Sequence, residues 1–200
     1  MPGRATAALA VLLALAAPLA AQRATERYDH HFRKYAKRYF GAGFDWRLFK
    51  AQGIAESGLD SAATSPAGAR GVMQLLPSTF EAIRSRNPEL VSIDHPEWNI
   101  AAGIKHDRSM WRLWREAATP RDRVGFMFAS YNAGRTTILR AQEVARAHEL
   151  DPKVWTSIEA VAGKVGRWRD DETLGYLRTI ETTYRRMDQG GRLRPQARPQ

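Results

Sequence analysis

The sequence predicts a mainly α, single-domain protein, and three observations carry that expectation. Apolar residues recur at spacings of three and four along much of the chain, the mark of helices with one buried face. No stretch alternates apolar and polar residues in the manner of a strand, and no internal repeat occurs. A chain of 200 residues, 44% hydrophobic and without cysteine, suits one domain held by its apolar core, with no disulfide or Cys-ligated zinc to staple it.

Taken in order, residues 23–40 are expected to form a helix with Tyr28, Phe32, Tyr35 and Tyr39 on one face. Arg27, Arg33, Lys34, Lys37 and Arg38 fill the other faces. Such a basic amphipathic helix either lies on a membrane surface or docks on the core by its aromatic stripe, and docking is the simpler reading. Asp45 is a good N-cap for a second helix running to about Ser57, where Gly58 stops it. Residues 60–71, rich in Ser, Ala, Gly and Pro, form an irregular loop or a small β element. Pro77 opens the next helix, to about residue 86. Residues 99–115 are helical, with Ile100, Ile104, Met110, Trp111 and Trp114 at core spacings. Pro120 opens a helix to about Tyr131, with Gly134 as its stop. Residues 136–148, a short piece after Pro152, and 172–187 complete the domain.

The chain carries 31 Lys and Arg against 21 Asp and Glu, a formal charge of +10, so its partner is expected to be anionic. Nucleic acid, anionic lipid and acidic cell-wall glycan all fit that charge. The N-terminus narrows the choice. Arg4, an apolar run over 7–17, Pro18 and then Leu19-Ala20-Ala21 before Gln22 have the layout of a secretory signal peptide. The run is shorter than the roughly 20 apolar residues a spanning helix needs, which favours cleavage over anchoring. The organisation expected is therefore a signal peptide over 1–21, a basic amphipathic helix over 22–43, a catalytic domain over 44–187 and a disordered tail over 188–200. An exported, periplasmic or envelope-associated protein has no use for nucleic acid, and no stable membrane insertion is expected after cleavage.

Several site types fail on inspection. Histidines 30, 31, 95, 106 and 148 show no metal-ligand spacing, Ser57 lacks the glycines of a nucleophile elbow, and Gly68-Ala69-Arg70-Gly71 lacks the Lys-Ser/Thr of a phosphate loop. Neither a metal nor a cofactor is expected. Glu56 is different. It falls on the last turn of its helix, where the partial negative charge of the helix end disfavours an anion, and Ile54 and Ala55 beside it push the same way. A carboxylic acid still protonated near neutral pH suits acid-catalysed cleavage of a glycosidic bond.

The surroundings of Glu56 strengthen this. Glu56-Ser57-Gly58-Leu59-Asp60, followed by Ser65-Pro66-Ala67-Gly68-Ala69-Arg70-Gly71-Val72-Met73-Gln74-Leu75-Leu76-Pro77, closely resembles the first two motifs of the family-1 lytic transglycosylases, relatives of goose-type lysozyme. Phe128-Ala129-Ser130-Tyr131-Asn132-Ala133-Gly134 is similar to their third motif, A-Y-N-A-G, and Glu172-Thr173-Leu174-Gly175-Tyr176-Leu177 to the fourth, E-T-x-x-Y-V. The lead-in Phe44-Asp45-Trp46-Arg47 and the Gly-Ala-Arg-Gly of motif two most resemble the catalytic half of the membrane-bound transglycosylase F group. Ser130 in place of Ala and Leu177 in place of Val are the departures.

The resemblance implies a lysozyme-like domain in which Glu56 is the sole catalytic acid and base. It implies that Ser65 hydrogen-bonds near it and that Met73 and Gln74 line sugar subsites. Tyr131, its hydroxyl close to Glu56, and Asn132 border the cleft; Glu172 orients substrate across it, and Tyr176 packs the helix carrying Glu172. Asp60, one turn on, reads as a cap for the following loop rather than as a second catalytic carboxylate. The implied substrate is peptidoglycan, cut between N-acetylmuramic acid and N-acetylglucosamine with closure of a 1,6-anhydro ring. A lysozyme-type hydrolase and a non-catalytic wall-binding or secretion-assembly protein are the alternatives. Among the tryptophans, Trp98, Trp111 and Trp114 are candidates for stacking on sugar, with core packing the favoured role of Trp111 and Trp114 from their spacing, and one of Trp155 and Trp168 is a candidate for lining the cleft.

Overall fold

A computed structural model describes residues 26–192. The signal-peptide reading of 1–21 and residues 193–200 of the expected tail lie outside the described residues. Within them the protein is helical: α1 (Asp29–Phe40), α2 (Arg47–Ser57), α3 (Pro77–Arg84), α4 (Pro96–Leu113), α5 (Pro120–Ala133), α6 (Arg135–Ala147), α7 (Trp155–Val161) and α8 (Asp170–Arg192). A 3₁₀ turn, Ala162–Lys164, extends α7. The only β features among the described residues are two isolated bridges, Thr64 with Arg70 and Arg70 with Leu75, in the loop between α2 and α3. The mainly α class, with an irregular loop or small β element after α2, is as the sequence predicts.

Several boundaries move for local reasons. The first helix begins at Asp29 because Tyr28 takes the left-handed conformation, φ 67°, which interrupts helical hydrogen bonding. α4 begins three residues earlier than expected, with Pro96 in the first turn, where its missing N–H has no helical partner to lose. α8 starts earlier and ends later than 172–187. Asp170, Asp171 and Glu172 fill its first turn, where the helix dipole favours acids, and the helix runs through Arg192 rather than giving way at 188. Asp45 sits one residue outside the cap position but does a cap's work, its Oδ1 accepting the Arg47 N–H at 3.0 Å.

Two apolar clusters organise the molecule. The larger gathers Phe32 and Tyr35 from α1, Phe49 from α2, Val72, Met73 and Leu75 from the loop, Ile100 and Ile104 from α4, Phe128 from α5 and Ile180 from α8. The smaller gathers Trp114, Phe126, Ile138, Trp155, Ile158 and Trp168. The aromatic stripe of α1 thus docks on the core. Phe32 and Tyr35 are buried while Tyr28 and Tyr39 flank them, and Lys34 and Tyr35 both reach Glu97 on α4 (2.7 and 2.9 Å). The tryptophans belong to these clusters too: Trp114, Trp155 and Trp168 are buried, and Trp98 and Trp111 pack half-buried against the larger core.

The loop between α2 and α3 is held by one side chain. Asn99 of α4 is fully buried; its Oδ1 accepts the Met73 N–H (2.8 Å) and its Nδ2 donates to the carbonyls of Arg70 (2.9 Å) and Ile93 (3.0 Å). Gly71 makes this possible, since its φ is +76° and a Cβ there would meet Asn99 Nδ2 at 2.6 Å. Asn99→Leu strands one buried N–H and two carbonyls. The expected loss is about 3 kcal/mol or more, and roughly 6–12 °C in melting temperature for a domain of this size, read by thermal unfolding.

Candidate active site

A cleft of about 520 Å³ opens where α2 ends, between the α2–α3 loop, α4, α5 and α8. Glu56 enters it from the last turn of α2. Gly58 then takes φ +65°, and the N–H groups of Gly58 and Leu59 return to the carbonyls of Ile54 and Gly53. That closes the helix in a Schellman-type turn and sends the chain away from the carboxyl.

The phenol of Tyr176, on α8, donates to Glu56 Oε1 at 2.6 Å. Burial raises the Glu56 carboxyl to about 7, against the smaller downward pull of the Tyr176 hydrogen bond. Among the described residues no lysine or arginine offsets the burial. At neutral pH such a group is present in comparable amounts as acid and as base, so it can deliver a proton and take one back.

The other predicted residues divide. Ser65, Gln74, Tyr131, Asn132 and Glu172 line the cleft together with Glu56. Met73 does not: its side chain is fully buried in the larger core. Its contribution is its carbonyl, which accepts the Tyr131 hydroxyl at 2.7 Å. The tyrosine hydroxyl bonded to Glu56 is therefore that of Tyr176, not of Tyr131, because Tyr131 is turned to the loop backbone. Ser65 bonds the loop as well, its Oγ accepting the Ala69 N–H at 3.1 Å. Gln74 Nε2 donates to the carbonyls of Ala63 (3.2 Å) and Gly71 (3.0 Å). Asp60 Oδ1 accepts the Ala62 N–H at 2.9 Å, the loop-capping role expected of it.

Asn132 is oriented by a relay. Trp168 Nε1 donates to Thr173 Oγ1 (2.9 Å), and Thr173 donates to Asn132 Oδ1 (2.8 Å), which presents the amide N–H groups as what Asn132 has left to offer. Glu172 is half-exposed at the rim and paired with Arg169. The Ser130 departure has its own partner, since its Oγ accepts Trp114 Nε1 at 2.9 Å within the smaller core.

His106, Thr79 and Thr179 also line the cleft, and sequence reasoning did not find them. His106 meets the Tyr131 ring edge-on at 5.2 Å between centroids, and burial lowers its pKa, so it stays neutral at neutral pH. For Thr179 a signal existed: Glu172, Tyr176 and Thr179 stand at i, i+4 and i+7 on one helix face. Among the described residues no three His, Asp or Glu side chains converge as metal ligands would.

A helical, lysozyme-like domain with a half-buried glutamic acid at a helix end over a cleft is the class that fold and site define. Residues 31–153 match the Transglycosylase SLT domain, and the chain belongs to that family. Its relatives include the membrane-bound lytic murein transglycosylase F of Pseudomonas fluorescens, 31% identical over 82% of this chain and 32% of that protein. Those of Stutzerimonas stutzeri (32% over 82% of this chain and 32% of that protein) and Desulfosudis oleivorans (33% over 78% and 33%) bear the same name. The chain spans about a third of the length of these relatives. The 70 kDa soluble lytic transglycosylase of Escherichia coli shares the fold, with a TM-score of 0.60 and 21% identity over 81% of this chain and 24% of that one.

Two outcomes are expected of the Glu56–Tyr176 pair. Tyr176→Phe removes a hydrogen bond that favours the carboxylate, so Glu56 titrates above its value of about 7, as followed by carbon NMR of the labelled carboxyl. Because folding raises this carboxyl from about 4.5 to about 7, the native state bears no penalty below pH 4.5 and an increasing one as pH climbs to 7. That penalty is about 3 kcal/mol once both states are ionised. Glu56→Gln is therefore expected to raise the melting temperature at alkaline pH and to leave it nearly unchanged near pH 4.

Proposed function

We propose that this protein is a peptidoglycan lytic transglycosylase that cuts the β-1,4 bond between N-acetylmuramic acid and N-acetylglucosamine and leaves 1,6-anhydromuramoyl ends. The observation that carries the proposal is the single withdrawn carboxyl of Glu56, raised to about 7, with the other cleft carboxylate, Glu172, half-exposed and paired with Arg169. Hydrolysis in the usual two-carboxylate manner needs a second free carboxylate to activate water or attack the sugar. Here one group serves twice. Glu56 gives its proton to the glycosidic oxygen as the C1–O4 bond breaks, with the substrate's own N-acetyl group assisting at C1. The Glu56 carboxylate then takes the proton of the muramoyl C6 hydroxyl while that oxygen bonds C1, which closes the anhydro ring and restores the acid. The cleft's half-buried polar lining, with Gln74 and Asn132 each tied by one hydrogen bond or more, suits a polar glycan strand.

The charge of +10 supports an acidic polymer as partner, and the N-terminal layout over 1–21 supports an exported, periplasmic or envelope-associated protein. No helix among the described residues is long and apolar enough to cross a membrane. Digestion of purified peptidoglycan followed by mass spectrometry tests the reading. Anhydromuramoyl ends are expected from the wild type, with turnover lost by a factor of about a thousand or more in Glu56→Gln. Reducing ends would instead identify a lysozyme-type hydrolase, and no products at all a wall-binding or assembly protein.

A further inference from the structure

A second carboxyl lies buried behind Glu56, and the mechanism above makes no use of it. Asp107, on α4, is fully buried, as is Gln52, which precedes Glu56 by one turn on the same face of α2. Gln52 Nε2 donates to Asp107 Oδ1 at 3.3 Å. The other oxygen of each end group, Gln52 Oε1 and Asp107 Oδ2, is also buried, and neither has a hydrogen-bond partner among the described residues. With an ionised aspartate both oxygens are acceptors and both go unsatisfied, in a place where each such group costs about 1–3 kcal/mol. One proton on Asp107 Oδ2 turns that oxygen into a donor, and given to Gln52 Oε1 it would satisfy both at once.

The charged and titratable groups around Asp107 point the same way. Glu56 faces it from α2 and disfavours a second negative charge. The Tyr131 hydroxyl from α5 and the Tyr176 hydroxyl from α8 are within its electrostatic reach. Its neighbour on α4, His106, is itself kept neutral by burial. From α1 and α3, which also pack on α4, no titratable group acts on it. Burial, first, and Glu56 therefore hold the Asp107 carboxyl well above the ordinary carboxylate range, against the pull of Gln52.

We propose that Asp107 is a neutral carboxylic acid whose proton is given to Gln52 Oε1, and that this acid–amide pair is a positioning element for Glu56. The inference rests on the transglycosylase reading for its catalytic meaning, though not for its chemistry. The pair ties the last two turns of α2 to α4, directly beneath the turn that presents Glu56, and it does so without a charge. Were Asp107 ionised, two carboxylates would share one dry region and Glu56 would hold its proton to far higher pH, as like charges do. Such a glutamic acid would be a weak donor of its proton to the glycosidic oxygen. A neutral Asp107 leaves Glu56 as the one carboxyl of the pair that changes charge near neutrality.

Infrared spectroscopy of the full chain tests the protonation state without needing turnover. At about pH 9, two units above the value of Glu56, the wild type is expected to keep a carboxylic-acid carbonyl band that Glu56→Gln retains and Asp107→Asn lacks. Absence of the band from the wild type, or its survival in Asp107→Asn, overturns the proposal. The pH–rate profile tests the positioning role. Asp107→Asn can make a reciprocal amide–amide pair, so its alkaline limb is expected to stay within about 0.3 units of the wild type, whereas Asp107→Ala loses roughly tenfold or more in kcat. A downward shift of a unit or more in Asp107→Asn means that an anion was removed, and wild-type kcat in Asp107→Ala means that nothing was positioned; either overturns it. A chain inactive on peptidoglycan defeats the functional reading alone, and the infrared band still decides the protonation of Asp107.

Discussion

The structure depends on the way α8 grips both ends of α2. At one end the Tyr184 hydroxyl donates to Asp45 Oδ2 (3.0 Å), and Asp45 in turn holds Arg47, which also reaches Asp188 (3.1 Å). At the other end the Tyr176 hydroxyl donates to Glu56. The two tyrosines are eight residues apart along α8, a rise of about 12 Å, roughly three quarters of the length of α2. The ends differ in character. Burial pushes Asp45 up, but the Arg47 side chain and backbone and the Tyr184 hydroxyl outweigh it and leave Asp45 a stable anion. Glu56 has the tyrosine and no cation, so burial prevails. One helix thus carries a fixed charge at its start and a mobile proton at its end.

Around that grip, the polar groups of the cleft are mostly spent on holding the backbone. Asn99 carries the loop, Tyr131 and Gln74 brace it, and the relay from Trp168 through Thr173 sets Asn132. Several residues that the family resemblance assigned to substrate therefore act first on their own chain. The cleft walls are fixed before any ligand arrives, which is the condition under which a single acid can work at a defined distance from its target. Surface charge follows a similar pattern on α1, where the exposed Lys34 and Arg38 are paired with Glu97 and Glu89.

Much of this was legible in the sequence, and the reasons are specific. The stripe of Tyr28, Phe32, Tyr35 and Tyr39 predicted a docked helix because one face must be covered. Pro77, Pro120 and Gly134 marked helix ends because each has a fixed backbone preference. Glu56 could be singled out from its helix-end position and its motif. The partner of its carboxyl could not be, since Tyr131 and Tyr176 both lie in plausible motifs and only packing decides which phenol points at the acid. Met73 reads as a cleft residue in a string of loop residues, yet the chain turns its side chain inward. The Gln52–Asp107 pair left no trace at all, because two polar residues 55 positions apart carry no local signal.

The sharing of α5 between the two apolar clusters has a consequence for how the molecule comes apart. Met127 and Phe128 face the larger cluster while Phe126 and Ala129 face the smaller, so every residue from Gly125 to Ser130 is buried. Neither cluster can open without stripping one side of the same helix and exposing it to water. Among the described residues the two clusters are therefore expected to come apart as one cooperative unit, with the wall that α5 lends to the cleft held from both sides.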